Sequence, residues 1–167
     1  MSVEIREARP DEHEEAGRVA MAAYDEFFAP GSEDEDHRYH RHIGDVAGRA
    51  DRTTILAAIE DGALVGTLTL ELEGRIGDKD GNPPLAPGEA HIRMLGVAPT
   101  ARRRGIARAL MVDAEARARA AGKTFVTLNT THLMEAAQTM YRSMGYVRVE
   151  DEVLPDGFVL LGFRKDL

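Results

Sequence analysis

The chain has 167 residues, enough for one domain with a single core and too few for two comfortable ones. Hydrophobic residues make up 43% and charged residues 30%, an ordinary globular balance, and no apolar run reaches the length of a membrane span. The absence of cysteine removes disulfides, thiolate metal sites and any cysteinyl–acyl intermediate, and a net charge of −8 argues against nonspecific nucleic-acid binding.

The start, Met1-Ser2-Val3-Glu4-Ile5-Arg6, lacks the basic-then-apolar layout of a secretion signal, which leaves the cytoplasm as the expected location. Residues 3–8 alternate apolar and polar, as a half-buried edge strand does. Pro10 and Asp11 open a helix whose apolar positions Ala16, Val19, Ala20, Ala23 and Tyr24 follow the helical repeat, and Pro30-Gly31 stops it. Residues 32–42 are polar and rich in histidine, so a solvated loop is expected there, with a short helix around 43–50. His37, His40 and His42 lack carboxylates at metal-site spacing, and Arg38 and Arg41 would repel a cation, so no metal is expected.

Thr54–Glu60 reads as a strand, Asp61-Gly62 as a tight hairpin turn and Ala63–Leu72 as the returning strand. Residues 74–88 form a long polar loop, in which Asp78-Lys79-Asp80-Gly81-Asn82 lacks the ligand run of a calcium loop. Glu89–Val97 is an apolar strand. After Arg102-Arg103-Arg104-Gly105 comes a helix with the stripe Ala107, Leu110, Met111, Ala114, Ala118 and Ala121, closed by Gly122. Thr124–Leu128 is a strand and Met134–Met144 a helix; Tyr146–Val149 and Phe158–Arg164 make a last hairpin across Leu154-Pro155-Asp156-Gly157. By itself this order predicts a single α/β domain, residues 1–167, with a mixed sheet.

The informative stretch is the strand, Pro99 turn, basic glycine loop and helix from Arg93 to Ala107. A glycine loop entering a helix leaves backbone N–H groups without intrahelical partners, and these suit an anion. The spacing is neither that of a P-loop nor that of a dinucleotide fold, so ATP and NAD are not the expected ligands. The bland alternative is a solvated basic helix start. For Tyr141 it is a core tyrosine beside Met140 and Met144, and for His91 a packed strand histidine.

Arg102-x-x-Gly105-x-Ala107 resembles the (Q/R)xxGx(G/A) pyrophosphate loop of the GNAT superfamily of N-acetyltransferases. Met94-Leu95-Gly96-Val97-Ala98-Pro99 precedes it, and Met134-x-x-Ala137-x-x-x-Tyr141-x-x-x-Gly145-Tyr146 follows, so the resemblance spans residues 89–149. It implies a mostly antiparallel central sheet with splayed fourth and fifth strands, flanked by helices. It also implies acetyl-CoA as co-substrate. Arg102, Arg103, Arg104, Gly105, Ile106, Ala107 and Arg108 would face its pyrophosphate, and the backbones of Leu95, Gly96 and Val97 its pantetheine arm. Tyr141 would donate to the departing thiolate. His91 would take the amine proton, with Glu89 in reserve. Many members carry asparagine where Met134 stands here; Asn129 is the candidate for that polar contact.

The resemblance thus implies direct attack by a primary amine, of a small molecule or a peptide N-terminus, within a ternary complex. The polar segment after the first helix would border the acceptor pocket. A non-catalytic acyl-CoA sensor is the alternative, with Tyr141 and His91 merely structural. An enzyme acting on aminoacyl-tRNA is disfavoured by the acidic charge, and a homodimer is left open.

Overall fold

The computed structural model describes residues 2–27, 34–73, 84–154 and 157–167. Along them run β1 (Val3–Glu7), α1 (His13–Tyr24), α2 (Asp34–Gly44), β2 (Thr54–Glu60), β3 (Ala63–Glu71) and β4 (Glu89–Val97), followed by α3 (Ile106–Ala120), β5 (Phe125–Thr130), α4 (Glu135–Ser143), β6 (Val147–Val153) and β7 (Val159–Asp166). The seven strands form one sheet in the order β1-β2-β3-β4-β5-β7-β6. Only the β4–β5 contact is parallel. This is the mostly antiparallel, helix-flanked sheet expected. Pro30-Gly31, residues 74–83 with their Asp78–Asn82 run, and Pro155-Asp156 lie outside the described residues.

β2 reads Thr-Ile-Leu-Ala-Ala-Ile-Glu, with no polar alternation, because both its faces are covered. Leu56 and Ala58 join the core under α3, while Ile55 and Ala57 pack with Ala16 of α1. α3 buries Ile106, Leu110, Met111, Ala114 and Ala118 in the same core as Tyr141 of α4 and Phe163 of β7. The expected stripe shifts at its ends: Ile106 rather than Ala107 faces inward, and Ala121 is exposed. Glu115 is also buried, because the Tyr146 hydroxyl donates to it at 3.0 Å and Lys165 Nζ meets its two carboxylate oxygens at 3.0 and 2.9 Å.

The second helix departs from expectation. Residues 34–44 are helical where a loop was expected, and the helix expected over 43–50 is replaced by turns from 47 to 52. Its sequence is strongly polar overall, and Ile43 is its one fully buried hydrophobic residue among those with described side chains. Tertiary contacts hold it instead. α1 and α2 cross where Gly17 meets Gly44, so closely that a Cβ on Gly17 would lie 2.2 Å from the Gly44 carbonyl oxygen. His40 Nε2 stands 2.7 Å from Asp25 Oδ1 and 3.2 Å from the Met21 carbonyl. Arg49, 2% exposed, donates to the carbonyls of His42, Ile43 and Asp45 at 2.9, 2.9 and 3.1 Å, closing the helix C-terminus. Its Nε donates to Thr69 Oγ1 of β3 at 3.1 Å. Burial lowers this guanidinium to about 10, so it keeps its charge at neutral pH.

The α1–α2 crossing generates a stability prediction. Gly17→Ala forces two backbones apart and should cost roughly 1–3 kcal/mol, typical of overpacking. The gain of about 1 kcal/mol in helix propensity does not cover a clash with a backbone oxygen. The thermal midpoint should fall by several degrees, at roughly 2–4 °C per kcal/mol for a domain of this size. An unchanged midpoint would mean the helices are not held through this contact.

Candidate active site

β4 pairs with β5 from Glu89–Phe125 to Ile92–Leu128. Beyond that rung β5 follows β7, with Asn129 opposite Gly162 and Thr130 opposite Leu161, and the two parallel strands part. On its other side β4 stays with β3 as far as Val97–Gly66. Within that ladder Met94 and Leu95 share the place opposite Leu68, a β-bulge in which Met94 adopts φ 54°. A left-handed backbone costs a side-chain-bearing residue roughly 1–2 kcal/mol. The bulge therefore stores strain where the strand leaves its partner. Leu95–Val97 runs along the fork with backbone groups that β5 does not satisfy.

A cleft of about 640 Å³ opens at the fork. Leu95, Gly96 and Val97 form one wall, and the 102–108 segment without Arg104 forms the end. The opposite wall runs from Leu133 to Tyr141, and Tyr24 and Phe27 close the side toward α1. Gly105 caps α3 at φ 77°, and a Cβ there would meet no described atom within 4 Å, so bare backbone faces the cavity. The first bond of α3 runs from the Ala109 amide to the Gly105 carbonyl at 3.0 Å. The amides from Gly105 to Arg108 consequently have no intrahelical acceptor. An amide-rich, positively poised pocket at the end of an open strand edge fits a polyphosphate bearing an amide-containing arm.

The arginines are not equivalent. Arg104 turns away from the cleft, ion-pairing with Glu60 of β2 and donating to the Thr100 carbonyl at 3.1 Å. Arg102 lines the cleft but is held at 2.5 Å by Glu26 and donates to the Ala23 carbonyl at 3.2 Å. Arg103 makes no ion pair among the described residues, and Arg108 reaches Ser143 Oγ of α4 at 2.5 Å. The charge that a ligand would meet unshared is therefore that of Arg103 and Arg108.

Tyr141 is 6% exposed, with its ring 5.9 Å from those of Tyr146 and Phe163, and it lines the cleft. Burial pushes its phenol above the usual value; Tyr146 is raised too, by burial and then by the Glu115 charge. His91 and Glu89 stand on the paired rungs before the fork, outside the cleft wall. His91 is 4% exposed, with Nδ1 2.7 Å from Thr127 Oγ1; Thr127 in turn donates to Glu89 Oε1 at 2.7 Å. Asn129 points the other way, its Nδ2 3.5 Å from Glu152 of β6, whereas Met134 lines the cleft and its sulfur accepts from Thr130 Oγ1 at 3.4 Å.

Sequence reading passed over Thr127, Glu71 and Arg93. Glu71 is fully buried on β3 directly opposite His91, with Arg93 Nε 3.7 Å from its carboxylate. An acid in a strand otherwise reading as apolar was the available signal. Among the described residues, no group of three or more His, Asp or Glu could hold a metal ion.

Residues 18–146 match the family model described as Acetyltransferase (GNAT) family, and the chain belongs to that family. Solved structures share the fold over 95% or more of their lengths. PaiA N-acetyltransferase from Thermoplasma acidophilum, in complex with coenzyme A, is 18% identical over 100% of both chains, with a TM-score of 0.73. The ribosomal-protein-alanine N-acetyltransferase of Brucella melitensis is 19% identical, covering 98% of this chain and 99% of its own, with a TM-score of 0.69. YncA from Salmonella typhimurium, solved with its cofactor acetyl-CoA, is 16% identical over 100% of this chain and 95% of its own, with a TM-score of 0.70. No curated protein matches the sequence.

The two buried phenols give a direct test of the site's dryness. Near pH 10, where a free tyrosine is about half ionised, Tyr141 and Tyr146 should add nothing to the phenolate absorbance of the folded protein. Their signal should appear only as the fold opens, and Tyr141→Phe should leave the titration below pH 10 unchanged. A normal titration of either would mean that water reaches the ring.

Proposed function

We propose that this protein is an acetyl-CoA-dependent N-acetyltransferase whose acceptor is a primary amine of a small molecule or a peptide N-terminus. The observation that carries the reading is the convergence, in one cleft, of an open β4 edge, the amide-rich start of α3 and the Tyr141 phenol. The co-substrate supplies an acetyl thioester, which is activated toward amines without any metal. Amides from Gly105 to Arg108, with Arg103, would hold its pyrophosphate, and the Leu95 and Val97 backbones its pantetheine amides, as a strand takes an added strand.

Tyr141 acts as a hydrogen-bond donor to the leaving sulfur. A thiolate is a weaker base than phenolate, with a thiol pKa of about 8.5, and burial raises the phenol further. Net loss of the Tyr141 proton is therefore uphill, and the residue supports the departing charge without ionising. His91 receives the amine proton, directly or through water, the task for which an imidazole is suited near neutral pH. Glu89, with both oxygens already engaged by Thr127 and the Ala86 amide, stands behind it.

The test is thiol release from acetyl-CoA over a panel of small amines and N-terminal peptides. Acetyl-CoA should bind with micromolar affinity, and Arg103→Ala should weaken it about tenfold, the loss of one charge-assisted contact. Tyr141→Phe should lower kcat by tenfold or more while leaving that affinity within about twofold. His91→Ala should remove the acidic limb of the pH–rate profile. Binding without thiol release from any amine would favour a sensor, and absence of binding would remove both readings.

A further inference from the structure

The cleft holds a second phenol. Tyr24 is the last residue of α1 and lines the same cavity as Tyr141. Two contacts put it there. Gly96 has no side chain, so α1 lies directly on β4: a Cβ on Gly96 would come within 2.9 Å of the Ala23 Cβ and 3.4 Å of the Ala20 Cα. The Tyr24 ring then packs with Ala20, Ile43 and Met94, the residue of the bulge at the fork. Phe27 meets it edge-on, with ring centroids 6.4 Å apart.

Packing accounts for the ring and leaves the hydroxyl unexplained. Among the described residues the Tyr24 oxygen makes no hydrogen bond. A largely buried tyrosine usually bonds through that oxygen. Burial raises its phenol well above the usual value, the charges of Tyr39 and Tyr141 add to this, and Arg49 opposes them. The group therefore stays protonated at working pH. It has lone pairs to receive a donor with, and it is no base.

The two phenols stand on opposite sides of the β4 edge. Leu95 and Val97 pack with the core that holds Tyr141, whereas Met94 packs with Tyr24. An arm paired with β4 as an added strand keeps its hydrogen bonds in the plane of the sheet. A planar thioester on that arm would turn one face of its carbonyl toward α4 and the other toward α1. A nucleophile attacks a carbonyl across its plane. A nitrogen approaching from the side opposite α4 therefore meets Tyr24.

We propose that Tyr24 receives the acceptor: its hydroxyl oxygen accepts an N–H of the incoming primary amine and turns the nitrogen lone pair toward the carbonyl carbon. The proposal rests on the acetyl-transfer reading above and adds the residue that orients the nucleophile. The C–N bond forms, the C–S bond breaks and its electron pair leaves with the sulfur. The surplus proton of the nitrogen passes to the base, and Tyr24 keeps its own. As the nitrogen becomes positive its N–H is a stronger donor, so the bond tightens toward the transition state.

The experiment compares wild type with Tyr24→Phe, which keeps the ring against Met94 and Phe27 and removes one oxygen. The probe is the amine of the panel that wild type acetylates fastest, alaninamide and ethylamine being its simplest members. At saturating acetyl-CoA, kcat/KM for that amine should fall about tenfold, the loss of one such bond. Calorimetric affinity for acetyl-CoA should stay within about twofold and the thermal midpoint should not fall, because the hydroxyl has no protein partner to leave unsatisfied. A displaced α1 would instead move both, since the helix rests on the β4 edge. An unchanged kcat/KM, an equal loss of acetyl-CoA affinity, or a lowered midpoint would overturn the proposal while leaving acetyl transfer standing. A wild-type protein that releases thiol with no amine would remove the reading beneath it, and that result is seen before any variant is made.

Discussion

The parting of β4 from β5 after Ile92 and Leu128 is the constraint on which the rest of the site depends. Backbone N–H and C=O groups need partners when water is excluded. By following β7 instead, β5 leaves a length of β4 edge whose groups only a ligand or solvent can satisfy. The Met94 bulge reinforces this, because an extra residue turns the strand end away from its parallel neighbour. α3 must begin at that point, and its far end is pinned by Glu115 to Tyr146 and Lys165. A helix fixed at its C-terminal half presents its N-terminal amides at a fixed place. The site is therefore made of backbone held by packing, with little left to mobile side chains.

The same economy explains the triple arginine. Arg104 reaches Glu60, which is buried at the end of β2, and that carboxylate would be costly there without a cation. Arg102 bridges to Glu26 and the end of α1, joining the loop to the helix that closes the cleft. Two of the three guanidinium groups thus act as struts for the loop. In the proposed complex, recognition of the pyrophosphate would fall to Arg103, Arg108 and the amides, which line the cleft and would cost little reorganisation.

What was legible in the sequence was local. The Asp61-Gly62 hairpin, the Glu89–Val97 strand and the Gly105 helix entry are written in turn chemistry and periodicity over a few residues. Leu95, Val97, Arg103, Gly105 and Tyr141 do meet in one cleft. The family spacing brought them together because it encodes a strand, a loop and two helices of fixed length. What escaped was long-range. α2 exists through the Gly17–Gly44 approach and the reach of Arg49 to Thr69, and neither leaves a periodic trace. Arg104 finds Glu60 44 residues away, and His91 finds Thr127 36 residues away. A threonine between Val126 and Leu128 reads simply as a strand residue until the register places it beside a histidine.

That register also separates the two ends of the proposed reaction. On the cleft side, Tyr141 sits in a buried aromatic cluster where its proton is hard to remove, so in the proposed reaction it would lend a hydrogen bond to a developing thiolate without changing charge. Beneath the fork, His91 lies in a polar network with Thr127 and Glu89. A donor that must not ionise needs an apolar setting, and a base that must ionise needs a polar one. The sheet supplies both within one fork because successive residues on β4 and β5 face opposite sides. One face carries Val126 and Leu128 toward the apolar core around Tyr141, and the other carries Thr127 toward His91.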